Sequence, residues 1–123
     1  MTRRATLAAV ADVVAIVVFV AIGRRNHDEG TAIDGIATVA APFLIALAIG
    51  WLVARAWNRP MDVDTAFVIW PVTVAVGMVL RNVVFDRGTA LPFIIVATVV
   101  TGVFLVGWRA LAGLAQRRIS QAR

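Results

Sequence analysis

Four long stretches with almost no charge constrain this chain more than any other feature. No charged residue occurs in the 20 residues from 35 to 54, the 16 from 65 to 80 or the 21 from 88 to 108, and Asp12 is the only one in the 19 residues from 5 to 23. A helix needs about 20 apolar residues to cross a bilayer. The pattern therefore predicts an all-α polytopic membrane protein with transmembrane helices at residues 5–23, 36–56, 65–85 and 90–112. The third helix reaches that length only by continuing past Arg81.

Other readings of these stretches fit the sequence less well. The chain is 61% hydrophobic and only 15% charged, whereas a soluble domain has about 25% charged residues. Buried strands run for about 4–8 residues, and the alternation of a membrane barrel is absent. "MTRR" before an apolar run is typical of a signal peptide, but Asp12 interrupts the run and three more apolar stretches follow. The sequence therefore favours one four-helix domain over residues 1–123.

The arginines predict the orientation of this domain. Four arginines (Arg24, Arg25, Arg81 and Arg87) fall on one side of the four spans, and eight fall on the other (Arg3, Arg4, Arg55, Arg59, Arg109, Arg117, Arg118 and Arg123). By the positive-inside rule, we expect both termini to lie in the cytoplasm and residues 113–123 to form a basic tail. Trp51, Trp57 and Trp108 are then interfacial tryptophans. The net charge of +5 comes from these flanking arginines, so the predicted partner is the lipid bilayer and not nucleic acid.

Small and polar residues recur on one stripe of each predicted helix. A small-residue stripe favours close helix packing in membranes, and β-branched residues suit lipid. On the first helix, Asp12 lies on such a stripe and is predicted to face protein, while Val13, Val17 and Val20 lie elsewhere around the helix. The stripes are Ala5, Ala8, Asp12, Ala15, Phe19 and Gly23; Ala46, Gly50 and Ala54; Ala66, Trp70, Thr73, Gly77 and Arg81; and Thr98, Gly102, Leu105, Arg109 and Ala112.

The charged residues near the helix ends predict two polar layers. Asp12 lies roughly 10 Å inside the cytoplasmic end, at 1.5 Å per residue, where the long side chains of Arg55 and Arg109 reach inward. These three residues form the predicted inner layer. The predicted outer layer comprises Arg24, Arg25, His27 and Arg81.

Pro71 predicts a kink in the third helix. A proline inside a helix removes one backbone hydrogen bond and bends the axis. The sequence places Trp70 before it and Thr73 after it. We expect the carbonyl that loses its donor to be satisfied by Thr73 or by water.

The two halves of the chain resemble each other. The first contains Asp12, "GRRN", "PFLI", "GW" and Arg55, and the second contains Asp64, Gly77 with "RN", "PFII" and "GWR", in the same order. Because each half starts and ends on the same side, a true repeat would be parallel, with its axis along the membrane normal. Chance similarity is the alternative, since the composition is biased.

The order of "GRRNH", "PF…GW", a "WP" span and "GWR" resembles the uncharacterised family of short bacterial and archaeal membrane proteins known as domain of unknown function 3054. That resemblance implies four membrane helices and no activity. The architecture is also loosely similar to the small multidrug-resistance transporters, which carry an acid in the first helix and a motif similar to "AFVIW". This chain differs from them in having Asp in place of Glu, no Tyr and arginines at the helix ends.

These features predict a structural or accessory membrane component. One His, one Ser and no Cys favour no catalytic, metal or cofactor site. The alternative is a small oligomeric proton-coupled transporter or channel that uses Asp12, because ionisable groups within a membrane often mark ion pathways. The alternatives differ in whether Asp12 is permanently paired with Arg55 or Arg109. Partners would be a second copy of the chain or other membrane proteins.

Overall fold

Four helices account for nearly all of the structure, a computed structural model that describes residues 2–26, 33–84 and 91–122. The helices are α1 (Arg3–Asn26), α2 (Ile33–Ala54), α3 (Val63–Val83) and α4 (Leu91–Ala122). Each is long and apolar enough to cross a membrane, and those three ranges contain no strand. The predicted all-α fold with four transmembrane helices is confirmed.

The helix ends differ from the predicted ones by a few residues, except at the end of α4. Helix α2 stops at Ala54 and α3 at Val83, two residues earlier than expected, and Phe85 lies outside the described residues. Helix α4 continues through the predicted tail to Ala122. The end of an apolar run marks where a helix leaves the membrane, but a helix without a proline or another stop signal continues beyond that point.

The helices pack as a four-membered ring. Helix α1 contacts α2 and α4, α3 contacts the same two helices, and the α2–α3 contact is the most extensive. Helices α1 and α3 begin, and α2 and α4 end, at the same end of the bundle, which we call the terminal end. There Arg4 Nη2 donates a hydrogen bond to Gln116 Oε1 over 3.0 Å, so the start of α1 lies beside α4.

The predicted stripe of α1 is largely its buried face. Ala5, Ala8, Asp12 and Phe19 are buried. Val20, which the sequence pattern places off this stripe, is also buried and packs in a cluster with Val39, Ala40 and Ala97. The outward faces of the helices are apolar, with Leu52, Val68 and Val103 among many exposed side chains. Lipid is the solvent that suits such a surface.

Glycines permit close contacts between α3 and its neighbours. A Cβ at Gly102 of α4 would clash with the Trp70 ring of α3, and a Cβ at Gly50 of α2 would lie 3.2 Å from the Ile69 carbonyl oxygen of α3. Small residues allow helix backbones to approach closely in membranes. Gly50 and Gly102, the glycines of the α2 and α4 stripes, therefore face α3.

Candidate functional site

A buried ion pair joins α1 to α4. The side chains of Asp12 and Arg109 are both 0% exposed. Arg109 Nη1 donates to Asp12 Oδ1 over 2.9 Å, and Nη2 donates to Oδ2 over 2.8 Å. This two-fold geometry matches the planar guanidinium to the planar carboxylate, which strengthens and orients the pair. The structure thus brings together two of the three residues of the predicted inner layer.

Two tryptophans complete the surroundings of the Asp12 carboxylate. Trp51 Nε1 of α2 donates to Oδ2 over 2.9 Å, and Trp108 Nε1 of α4 donates to Oδ1 over 2.8 Å. Each carboxylate oxygen therefore accepts two hydrogen bonds, one from Arg109 and one from an indole. We call Asp12, Trp51, Trp108 and Arg109 the Asp12 layer.

Arg109 also donates hydrogen bonds to two backbone carbonyl oxygens. Its Nε donates to the Pro60 carbonyl oxygen over 2.9 Å, and Nη1 also donates to the Leu105 carbonyl oxygen over 3.0 Å. Pro60 lies in the turn between α2 and α3. The guanidinium carbon also lies 4.4 Å from the centre of the Trp108 ring, within the range of a cation–π contact. Arg109 thus links α1, α4 and the α2–α3 turn.

Arg55, the third residue of the predicted inner layer, does not reach Asp12. It is exposed and adopts a left-handed conformation with φ of 49°. The amide of Arg55 donates to the Leu52 carbonyl and that of Ala56 to the Trp51 carbonyl, the hydrogen bonds of a Schellman motif. Arg55 therefore terminates α2, and its exposed side chain is not part of the Asp12 layer.

The predicted outer layer is described only at Arg81. Arg81 is half-buried, and its guanidinium lies 4.0 Å above the centre of the Phe93 ring. This contact joins α3 to α4 near the end of the bundle opposite to the terminal end. The side chains of Arg24 and Arg25, and the whole of His27, lie outside the described residues.

At the predicted kink, Trp70 bonds to the neighbouring helix. Pro71 lies inside α3, and Trp70 Nε1 donates to the Thr98 carbonyl oxygen of α4 over 2.7 Å. Thr73 is buried, and its hydroxyl has no hydrogen-bond partner among the described residues. Of the two groups expected to satisfy the carbonyl freed by Pro71, Thr73 or water, the Thr73 hydroxyl does not do so and packs beside Gly50 of α2.

Sequence reasoning missed Trp51 and Trp108 as partners of Asp12. Both were interpreted as interfacial tryptophans, since an indole near a helix end suits the lipid headgroup region equally well. The available signal was the repeated Gly-Trp pair, at 50–51 and 107–108, at the same level as Arg109. A repeated indole donor beside a buried acid indicates a hydrogen-bond partner.

The chemistry of the Asp12 layer is that of a closed polar network. Its carboxylate is hydrogen-bonded on both oxygens and its counter-charge is in direct contact, so the buried charges need no water or ligand. Removing one partner from such a pair costs about 3–5 kcal/mol, because the other charge is left buried alone. Within residues 2–26, 33–84 and 91–122, no three His, Asp or Glu side chains lie together as metal ligands would.

Comparison with known families places the chain in one of them. The model of a family described as a protein of unknown function, DUF3054, matches residues 9–112. This range contains the whole Asp12 layer, and the chain belongs to that family, as its resemblance suggests. No curated protein and no solved structure shows a significant match.

Proposed function

We propose that this DUF3054 protein is a structural or accessory component of a bacterial or archaeal plasma membrane, and that it acts through its helices rather than by catalysis or transport. The observation that carries the proposal is the fully hydrogen-bonded Asp12 carboxylate. A proton placed on either oxygen would displace one of its donors. Asp12 therefore supports the joining of helices rather than the carriage of protons.

The exposed surface supports the same role. Beyond the Asp12 layer, the faces that meet the surroundings are mostly apolar side chains of the helices. Such faces interact with lipid and with the helices of other membrane proteins. The proposed partners are therefore other membrane proteins or a second copy of this chain.

A flux measurement tests the proposal against the transport alternative. The protein is reconstituted into vesicles that contain a pH-sensitive dye, and a pH gradient is imposed. We expect proton flux equal to that of protein-free vesicles for wild type, Asp12→Asn and the exposed control Asp64→Asn. A protonophore added at the end shows that the vesicles are sealed. Flux in wild type and in Asp64→Asn that disappears in a folded Asp12→Asn variant would instead assign transport to Asp12.

The proposed orientation has its own test, because the chain contains no cysteine. Single cysteines at Thr2, Gly30 and Arg118 are treated with a membrane-impermeant maleimide in intact cells. We expect labelling at Gly30 only, and labelling of Thr2→Cys and Arg118→Cys after permeabilisation. The reverse pattern would place both termini outside the cell.

Isolation from native membranes tests the accessory role directly. In a mild detergent, we expect the protein to co-purify with one membrane protein, or with a second copy, in a fixed ratio. Recovery of a lone monomer from native membranes, with its fold intact, would count against the accessory role and leave the flux result to decide the function.

A further inference from the structure

An open groove lies at the terminal end, between the start of α3 with the two residues before it and residues 109–117 of α4. Its volume is about 530 Å³, within the range of about 300–1,000 Å³ that is typical of small-molecule sites. The lining side chains are those of Met61, Asp62, Val63, Asp64, Arg109, Ala110, Gly113, Leu114 and Arg117. Arg109, whose guanidinium holds Asp12 and Pro60, is the buried member of this set.

One carboxylate and one guanidinium in this groove are not paired with other described side chains and are available to a ligand. Asp64 of α3 and Arg117 of α4 are both exposed, and in the described part of the chain neither forms an ion pair or a side-chain hydrogen bond. Asp62 is paired with Arg59, and the Arg109 guanidinium is committed to the Asp12 layer. The groove therefore presents one carboxylate on the α3 side and one guanidinium on the α4 side.

The apolar lining of the groove continues along α4. Leu114 lines the groove and is 53% exposed. Deeper on the same face of α4, Ala110 is exposed and Val103, about 20° around the helix from Leu114, is 60% exposed. Charged groups above an exposed apolar helix face are the arrangement that a phospholipid requires, with its headgroup in the groove and its acyl chains beside α4. The terminal end of a membrane-spanning bundle lies at the depth of the headgroups.

We propose that this groove binds the headgroup of phosphatidylethanolamine. The lipid ammonium donates hydrogen bonds to the Asp64 carboxylate, and the phosphate accepts them from the Arg117 guanidinium, which is suited to phosphate oxygens. Phosphatidylcholine carries a quaternary ammonium without an N–H group, and phosphatidylglycerol carries no cation. The inference rests on the membrane setting of the four helices and is independent of the accessory role.

Thermal unfolding of the purified full chain in detergent tests the inference. The midpoint is measured against increasing amounts of phosphatidylethanolamine, phosphatidylcholine and phosphatidylglycerol with identical acyl chains, since a ligand that binds only the folded state raises the midpoint. We expect an apparent affinity for phosphatidylethanolamine at least about tenfold higher than for the other two, the effect of one lost charge-assisted hydrogen bond. Equal midpoint shifts for the three lipids would overturn the proposal.

Neighbouring arginines supply the matched control. Arg118 is exposed like Arg117, but it lies about 100° further around the helix and does not line the groove. We expect Arg117→Gln to abolish the preference for phosphatidylethanolamine, Arg118→Gln to retain it, and Asp64→Asn to bind phosphatidylethanolamine and phosphatidylcholine alike. Indistinguishable behaviour of Arg117→Gln and Arg118→Gln would overturn the site.

Two further outcomes would also overturn the proposed occupant. A midpoint shift with phosphatidylglycerol alone would assign the groove to an anionic headgroup. An equal shift with water-soluble phosphoethanolamine would show that the zwitterion binds without its acyl chains, so the source would be the aqueous phase. Neither outcome depends on the flux or partner experiments, so this inference and the accessory role succeed or fail separately.

Discussion

The bundle buries polar side chains in two contrasting ways. In the Asp12 layer, both carboxylate oxygens and the facing guanidinium are hydrogen-bonded. Thr73 and Thr101 are buried just as deeply, at 0% and 2% exposure, and in the part of the chain that the structure describes their hydroxyls have no hydrogen-bond partner. Thr73 lies instead at a close helix contact, where its hydroxyl packs beside Gly50.

The difference shows which polar groups the fold must satisfy. A buried hydroxyl without a partner costs about 1–3 kcal/mol, which packing can offset, whereas a lone buried charge costs several kcal/mol more. We therefore attribute the fixed arrangement of the helices at the terminal end to hydrogen bonds, and the arrangement of the helices around Thr73 to close packing.

The largest predicted effect comes from removing the counter-charge in the Asp12 layer. Arg109→Gln leaves the Asp12 carboxylate with the two indole donors and no cation, and separates α4 from the Pro60 carbonyl. We expect the free energy of unfolding to fall by about 3–5 kcal/mol, measured by reversible denaturation in mixed micelles. The exposed Arg55→Gln is the control and should change it by less than about 0.5 kcal/mol. Equal losses of stability in Arg109→Gln and Arg55→Gln would mean that the hydrogen bonds of the Asp12 layer do not fix the helices at the terminal end.

A smaller loss is expected when one indole donor is removed. Trp108→Phe keeps the aromatic packing and deletes the hydrogen bond to Asp12 Oδ1, so we expect a loss of about 1.5–3 kcal/mol. Circular dichroism is the readout, because the substitution alters tryptophan fluorescence. Trp57→Phe, at an exposed position, should have little effect. If Trp108→Phe left the stability unchanged, the Asp12 carboxylate would tolerate a missing hydrogen bond as the buried threonine hydroxyls do.

At the close contact between Gly102 of α4 and Trp70 of α3, an added methyl group should lower the stability. In Gly102→Ala the new Cβ meets the Trp70 ring, and we expect a loss of about 1–3 kcal/mol from overpacking. The matched control is Gly113→Ala on the same helix, where nothing lies within 4 Å of the added atom. That variant should be neutral or slightly stabilised, since alanine favours helix. A stable Gly102→Ala would show that the α3–α4 contact is loose.

The smallest effect is expected at the threonines themselves. Thr73→Val replaces an unpartnered hydroxyl with a methyl group of similar shape, so the free energy of unfolding should stay within about 0.5 kcal/mol or rise. Thr65→Val is the comparison, because the Thr65 hydroxyl donates to the Arg59 carbonyl over 2.6 Å. Thr65→Val should lower the free energy of unfolding by about 0.5–1.5 kcal/mol. A larger loss at Thr73 than at Thr65 would reveal a partner for the Thr73 hydroxyl.

Sequence alone predicts the fold because charge is so costly in lipid. The uncharged runs locate the four helices to within a few residues, except at the end of α4, and the stripe of small residues orients Asp12 towards the other helices. The depth of Asp12 and the length of an arginine side chain predict a pair between Asp12 and Arg109, but the same reasoning favours Arg55 equally. Only the backbone turn after Ala54, with its left-handed Arg55, separates the two arginines, and no glycine marks that turn in the sequence.

The structure brings corresponding residues of the two similar halves of the chain together. The tryptophans of the two Gly-Trp pairs donate to the same carboxylate, and the phenylalanines of "PFLI" and "PFII", Phe43 and Phe93, lie with ring centres 6.1 Å apart. Corresponding residues of the two halves thus meet inside the bundle. The charged residues break the correspondence, because Asp12 and Arg109 are buried while Asp64 and Arg55 are exposed.

The central claim is that Asp12 and Arg109 are buried as one unit that joins the helices. A double-mutant cycle of Asp12→Asn, Arg109→Gln and the combined variant, measured by reversible unfolding in mixed micelles, tests it most directly. Each single change leaves one charge buried alone, and the combined change leaves none. We predict that the combined variant is more stable than either single variant. A combined loss equal to the sum of the two single losses would show that the residues act independently and would contradict the account.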